Sequence, residues 1–180
     1  AHTGAGRASA LPVHNEKFRT IAASLAAGVS IVTASDADGA PRGLTSSAVC
    51  SVSAVPPAML VCVDEHSNTL PAIREAGAFA INVLAAGREQ LALRFASKAE
   101  DKFSGVRWTP SRVARRAPVL ADDVIACAEC VVMQEIRAGD HWIFIGSVED
   151  GFVRDDTPLL YCRRTFAGWP LAAAALAADA

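Results

Sequence analysis

The chain is informative first in what it lacks. It has no G-x-G-x-x-G fingerprint and no G-x-x-x-x-G-K loop, which sets aside the common dinucleotide and P-loop folds. It has no G-x-S-x-G elbow and no H-E-x-x-H pair, so the common serine-hydrolase and zinc-protease arrangements are absent. Histidine is scarce, and His2, His14 and His66 make no metal spacing with one another. Charge is scarce too, at 20% of residues with a net charge of -2. That balance lacks the basic footprint of a nucleic-acid binder. Aromatic residues are few, with one Tyr and three Trp, which argues against a barrel that stacks bases. No apolar run approaches the ~20 residues of a membrane span. The opening stretch "AHTGAGRASALPVHNEKF" has no apolar signal core, and we expect residues 1–14 to form a flexible arm of a cytoplasmic protein.

What is present is apolar. Hydrophobic residues make up 52% of the 180, enough for a large core in one domain and more than a small domain hides alone. A homodimer is the expectation. The five cysteines are an odd number in a chain without an export signal, which argues against a disulfide framework. Cys127 and Cys130 spell C-x-x-C, but "VIACAECVVM" reads as a strand. Positions three apart on a strand face opposite ways, so we expect two buried small residues rather than a metal or redox pair.

Periodicity predicts a mainly β domain over 15–169 with a few short flanking helices, followed by an Ala-rich tail over 170–180. Asn15 is a candidate cap for a first helix ending near Gly28. Strands are expected at 29–34, along "GLTSSAVCSVS" (43–53), at 58–63, 79–84, 124–137 and 141–149, and a last one at 158–166. Asp38-Gly39 and Gly139-Asp140 carry turn chemistry. A helix is expected after Ser67-Asn68-Thr69, with Pro71 in its first turn and Gly77 at its end. "GREQLALRFASK" predicts another, and 97–118 reads as an irregular loop around Trp108. Strands adjacent in sequence imply an antiparallel sheet, which we expect to close into a barrel.

Three features ask for more than a structural explanation. Read as one strand, 43–53 places Thr45, Ser47, Ser51 and Ser53 on one face. A solvated strand face explains hydroxyls, yet such faces usually carry Lys or Glu, and none occurs from Leu44 to Val63. Small hydroxyls also let a flat or anionic ligand approach the backbone. "SNT" at 67–69 caps a helix in the simplest account, and a helix start also accepts phosphate. His141, directly after a tight turn, is well placed for a ligand, although a surface histidine is the commoner case.

Taken together, "FRTIAASLAAGVSIVTA", "GLTSSAVCSVSAVPPAMLVCV", "SNT", "FAINVL", "DKFSGV", "AGDHWIFIGSV" and "PLLYCRRTF" resemble, in order and spacing, the short-chain flavin reductase family, the NAD(P)H:flavin oxidoreductase components of two-component monooxygenases. The resemblance covers about Phe18 to Phe166. It implies a split β-barrel, Greek-key-like, that binds FMN or FAD, works as a homodimer, and sends reduced flavin by diffusion to a partner oxygenase. Thr45, Ser46, Ser47 and Ala48 match the segment along the flavin ring. Ser51 and Ser53 match contacts to its ribityl-phosphate part, and Ser67, Asn68 and Thr69 a second contact to that tail. Ala96, Lys102 and Phe103 fall where the family closes over the flavin. His141, with Gly28 and Phe166 nearby, matches the nicotinamide nucleotide position. Catalysis then needs no acid–base pair of side chains, because hydride passes directly to the flavin. With no arginine cluster to select NADPH, NADH is favoured. Two other readings use the same fold: a flavoprotein that retains its flavin and acts on an organic substrate, and a non-catalytic flavin-binding protein.

Overall fold

The computed structural model describes residues 13–169. The expected arm up to residue 12, His2 within it, and the expected tail over 170–180 lie outside the described residues. Among the described residues, three helices and twelve strands follow one another. They are α1 (Asn15–Ala23), β1 (Ala27–Gly28), β2 (Ser30–Ser35), β3 (Pro41–Ser46), β4 (Val49–Ala54), β5 (Pro57–Asp64), α2 (Leu70–Ala76), β6 (Ala78–Leu84) and α3 (Glu89–Ala96). Then come β7 (Trp108–Pro110), β8 (Pro118–Leu120), β9 (Val124–Ala138), β10 (His141–Val153), β11 (Leu159–Cys162) and β12 (Thr165–Gly168).

The main sheet has seven antiparallel strands in the order β3-β2-β6-β9-β10-β5-β4. Two small sheets, β1-β11-β12 and β7-β8, flank it. The mainly β, split architecture is as expected, but the seven-stranded ladder is not closed into a barrel: β3 and β4 remain as its two edges. The bend at Ser47-Ala48 joins the two edges, and Ala48 C=O accepts from Cys62 N–H at 3.0 Å, which carries the β4–β5 ladder one residue further.

β2 is buried along its whole length, because the core lies on both of its faces. Val32 packs with Phe79, Phe144, Ile73 and Ile81 in one cluster. Ile31 packs with Leu84, Phe95, Leu120 and Leu159 in a second. Each such side chain contributes about 1.5–3 kcal/mol on burial. α2 docks through Leu70, Ala72 and Ile73. It stops where expected, at Gly77, whose left-handed φ of 63° turns its N–H back to Ile73 C=O at 2.9 Å. Cys130 belongs to the first cluster and Cys127 to a third, on opposite faces of β9. Burial above all, and nearby carboxylates, push both thiols up to about 12.

Four local expectations are corrected. The hydroxyl run 43–53 is not one strand; it bends at Ser47-Ala48 and supplies both edges of the ladder. A period-two reading therefore fails across the bend. The run 158–166 is a hairpin, β11–β12, turning on Arg163 and Arg164, which both have positive φ. The loop 97–118 contains β7, held against β8. α1 ends at Ala23, Asn15 lies inside it rather than capping it, and Gly28 belongs to β1. Its apolar residues Phe18 and Ile21 are more than half exposed.

Candidate functional site

The site is built along the β3 edge, where α3 lies across the strand. Gly43 permits this approach: a Cβ there would stand 2.7 Å from the Phe95 ring and 3.3 Å from the Phe103 ring. Thr45 Oγ1 donates to Ala92 C=O in α3 at 2.6 Å. Lys102 Nζ donates to Phe95 C=O at 2.9 Å and to Gly43 C=O at 3.2 Å, so one ammonium closes the end of the helix onto the strand. Phe103 packs edge-on against Phe95 with ring centres 4.9 Å apart. Burial, and then the neighbouring Lys98 charge, draw the Lys102 ammonium below the usual lysine range.

Three clefts open around this wall. The first, of about 240 Å³, is lined by Thr45, Ser67, Asn68, Ala96 and Lys102, together with Leu44, Asp64, Phe95 and Lys98. The second, of about 320 Å³, shares Asn68 and Lys102 with it and adds Thr69 and Phe103. The third, of about 300 Å³, shares Thr45 and Ala96 with the first. It adds Ser47, Phe166, Val29, Leu93, Tyr161 and Arg164. Segments far apart in sequence thus meet at Thr45 and Ala96.

Other expected residues lie elsewhere. The Ser46 side chain is buried, and its Oγ accepts from Ala48 N–H at 3.1 Å, shaping the bend. Ala48 is exposed at that bend. Ser51 and Ser53 sit exposed on β4, at the opposite edge, and line none of these three clefts. Gly28 is exposed beside Val29, which lines the third cleft. His141 starts β10 in register with Asp64, a wall of the first cleft. Its Nδ1 stands 2.8 Å from Asp140 Oδ1, and that contact holds the Asp140 carboxyl below the usual carboxylate range. The three residues expected at the nicotinamide therefore do not converge: Gly28 and Phe166 belong to the third cleft's side, His141 to the first.

Sequence reasoning passed over Lys98, Asp64, Leu44, Tyr161 and Arg164 as site residues. Lys98 was open to detection, since it stands beside Ala96 in "FASK". Arg164 is hidden, because the run 158–166 has the pattern of one strand and nothing in it signals the turn.

The lining suits a flat ring with an anionic tail. Leu44 and Phe95 offer apolar walls, Ser67 and Asn68 offer hydrogen-bonding side chains, and Lys98 and Lys102 bring two positive charges into one cleft. Phe166 and Tyr161, with ring centres 4.9 Å apart, wall the third cleft. Such clefts pair apolar surface with a few polar groups, as ligand sites do.

Comparison with known proteins gives a consistent result. Residues 22–170 match the model of the flavin reductase like domain family. A flavin reductase (NADH) of Kitasatospora aureofaciens is 46% identical over 161 residues, which is 88% of this chain and 84% of that protein. The reductase subunit of a flavin-dependent monooxygenase of Rhodococcus jostii is 34% identical, over 92% of this chain and 84% of its own. Among solved structures, the NADH:FAD oxidoreductase of Streptomyces globisporus, in complex with NAD and FAD fragments, superimposes with a TM-score of 0.81 at 30% identity. That superposition covers 88% of this chain and 94% of the other.

Proposed function

The chain belongs to the flavin reductase-like family, and on that premise we propose that it is an NAD(P)H:flavin oxidoreductase that reduces FMN or FAD with NADH and passes reduced flavin to a partner monooxygenase. The observation that carries this reading is the meeting of Thr45, Ser67, Asn68, Ala96 and Lys102 in one cleft. Bound there, flavin and NADH would supply the chemistry themselves, a hydride passing from nicotinamide to flavin. The protein's part is to bind, orient and exclude water.

In this proposal the bend Thr45-Ser46-Ser47-Ala48 presents backbone and small side chains to the ring. Ser47 and Ala48 are its exposed members, while the Thr45 and Ser46 hydroxyls and both backbone groups of Ala48 are bonded within the protein. Ser67, Asn68 and Thr69 hold the tail, and Lys102, with Lys98 beside it, neutralises its phosphate. Ser51 and Ser53, exposed on β4 and outside the three clefts, are assigned to that tail by the family resemblance alone. Ala96 and Phe103 close the cleft. His141, fixed by Asp140, meets the nucleotide, and Gly28 and Phe166 border its far side. We further propose a homodimer and a cytoplasmic setting. In support of the dimer, an open and mostly apolar hollow on the sheet is lined by Met59, Val83, Ala126, Val148, Phe152 and Val153. Val153 there is 83% exposed. None of the helices among the described residues is long and apolar enough to cross a membrane.

The test is NADH consumption by the purified protein with and without added FMN or FAD. Oxidation that depends on added flavin and saturates with it is the expected result. Oxidation indifferent to added flavin would instead mean a retained flavin and an organic acceptor. Flavin binding without any NADH oxidation would reduce the protein to a flavin carrier.

A further inference from the structure

We propose that Arg164 anchors the phosphate groups of the nicotinamide nucleotide, separately from the lysines that face the flavin's phosphate; the inference rests on the reductase reading above. Arg163 and Arg164 form the turn between β11 and β12 with φ of 49° and 63°. Two-residue hairpin turns with both residues at positive φ strongly favour Asn and Gly, which take this backbone at little cost. This turn carries arginine at both positions, as does the Arg115-Arg116 turn with φ of 49° and 68°; what sets Arg164 apart is that it lines the third cleft.

The turn is held firmly. Arg163 N–H donates to Ala23 C=O at 2.6 Å, and the Tyr161 and Phe166 rings pack together across the base of the hairpin. Arg164 lines the third cleft, and its backbone is held in place by these contacts. The cleft is otherwise walled by Val29, Leu93, Tyr161 and Phe166, and no carboxylate lines it. Arg42 pairs with Asp36, Arg88 with Asp123 and Arg107 with Asp122. Among the described residues Arg115, Arg116 and Arg163, like Arg164, have no carboxylate partner, but those three line none of these three clefts.

A guanidinium fork matches phosphate oxygens and stacks readily beside aromatic rings. Two cationic corners thus lie on either side of Thr45 and Ala96: Lys98 and Lys102 in the first cleft, Arg164 in the third. The proposed reaction has two anionic partners. The assignment of lysines to one and arginine to the other follows from this division.

The variant Arg164→Asn tests it, because Asn accepts the left-handed backbone and removes only the charge and length. The probe is ADP-ribose, which carries the diphosphate without the nicotinamide, titrated calorimetrically into the full chain. Arg164→Asn is expected to weaken ADP-ribose binding about tenfold and raise the KM for NADH by a similar factor, while kcat and FMN affinity stay within about twofold. Arg163→Asn, outside the cleft lining, is expected to change none of these. An ADP-ribose affinity that Arg164→Asn leaves within twofold, or an equal loss of FMN affinity, would overturn the assignment. So would a wild-type protein that does not bind ADP-ribose. If wild type oxidises NADH with free flavin but Arg164→Asn behaves as wild type, the inference fails and the reductase reading stands. If wild type never oxidises NADH, that reading fails, and the titration judges Arg164 alone.

Discussion

Two polar regions of this molecule, less than a sheet's width apart in the strand order, are treated in opposite ways. On β6, Asn82 is fully buried, and the protein consumes all it offers. Its Nδ2 donates to Ile31 C=O, Thr33 Oγ1 and Pro118 C=O, and its Oδ1 accepts from Leu120 N–H at 2.9 Å. One amide thus pins β8, and the β7–β8 hairpin with it, to the main sheet. Two strands away, at the β3 edge, Thr45 and Lys102 hold α3 in place, while Ser47 and Asn68 remain exposed beside them. A buried polar group without a partner costs about 1–3 kcal/mol, so the core tolerates Asn82 only because it is satisfied. At the edge, polar groups are left to water, and a ligand can replace that water at little cost. Polarity inside is a fastener; polarity at the edge is a binding surface.

The comparison breaks most severely at the core. Asn82→Leu strands the Leu120 N–H and takes a donor from the Ile31 and Pro118 carbonyls, of which Pro118 keeps the Thr33 hydroxyl, and should lower unfolding free energy by about 2–3 kcal/mol. Urea denaturation measures it, and a loss below about 1 kcal/mol would mean that the network does not fasten β8. Next comes the edge. Ser47→Leu should weaken flavin binding about thirtyfold by filling the bend, equivalent to ~2 kcal/mol of steric cost. The thermal midpoint should hardly move, since Ser47 is exposed. Flavin fluorescence titration reads the first and calorimetry the second; unchanged affinity would return Ser47 to an ordinary surface serine. His141→Ala should act less, raising the KM for NADH about fivefold through one lost hydrogen bond while flavin affinity stays within twofold. The reverse pattern would move His141 from the nucleotide to the flavin.

How much of this contrast the sequence reveals depends on the residue. β2, β5, β6 and the β9–β10 hairpin are legible because runs of β-branched residues end at Gly, Pro or Asp, whose backbone preferences are strong. Gly77 is legible for the same reason. The Ser47-Ala48 bend is not, because neither residue signals a turn and the alternation looks continuous. The Arg163-Arg164 turn is invisible for a stronger reason: arginine is a poor left-handed residue, and tertiary contacts impose the conformation. Asn82 was open to detection, as the lone amide in "FAINVL", since a polar residue inside such a run must find partners. Thr45 is legible in the hydroxyl run and Ser67 and Asn68 at a helix start, from residue chemistry alone, whereas Ala96 and Lys102 follow from family resemblance. Arg164 and Lys98 entered only when the fold brought distant segments together.

The mildest perturbation uses pH and sharpens the edge rather than breaking it. Burial draws the Lys102 ammonium below the 10.5 of an ordinary lysine. In the unfolded chain the proton is held to higher pH, so between the two values unfolding takes up protons and the folded state gains stability as pH rises. Phosphate binding must run the other way over the same window, because the neutral amine no longer attracts the anion. Lys98, Asp64 and Glu100 also border the first two clefts, so the comparison needs an internal reference. Riboflavin, which has the ring but no phosphate, provides it. FMN affinity should fall a few-fold relative to riboflavin as pH climbs towards 10, and Lys102→Arg, whose charge does not titrate there, should flatten the difference. A FMN-to-riboflavin ratio that stays constant over this range in wild type would show that Lys102 only closes α3 onto β3, and would place it with Asn82 among the fasteners.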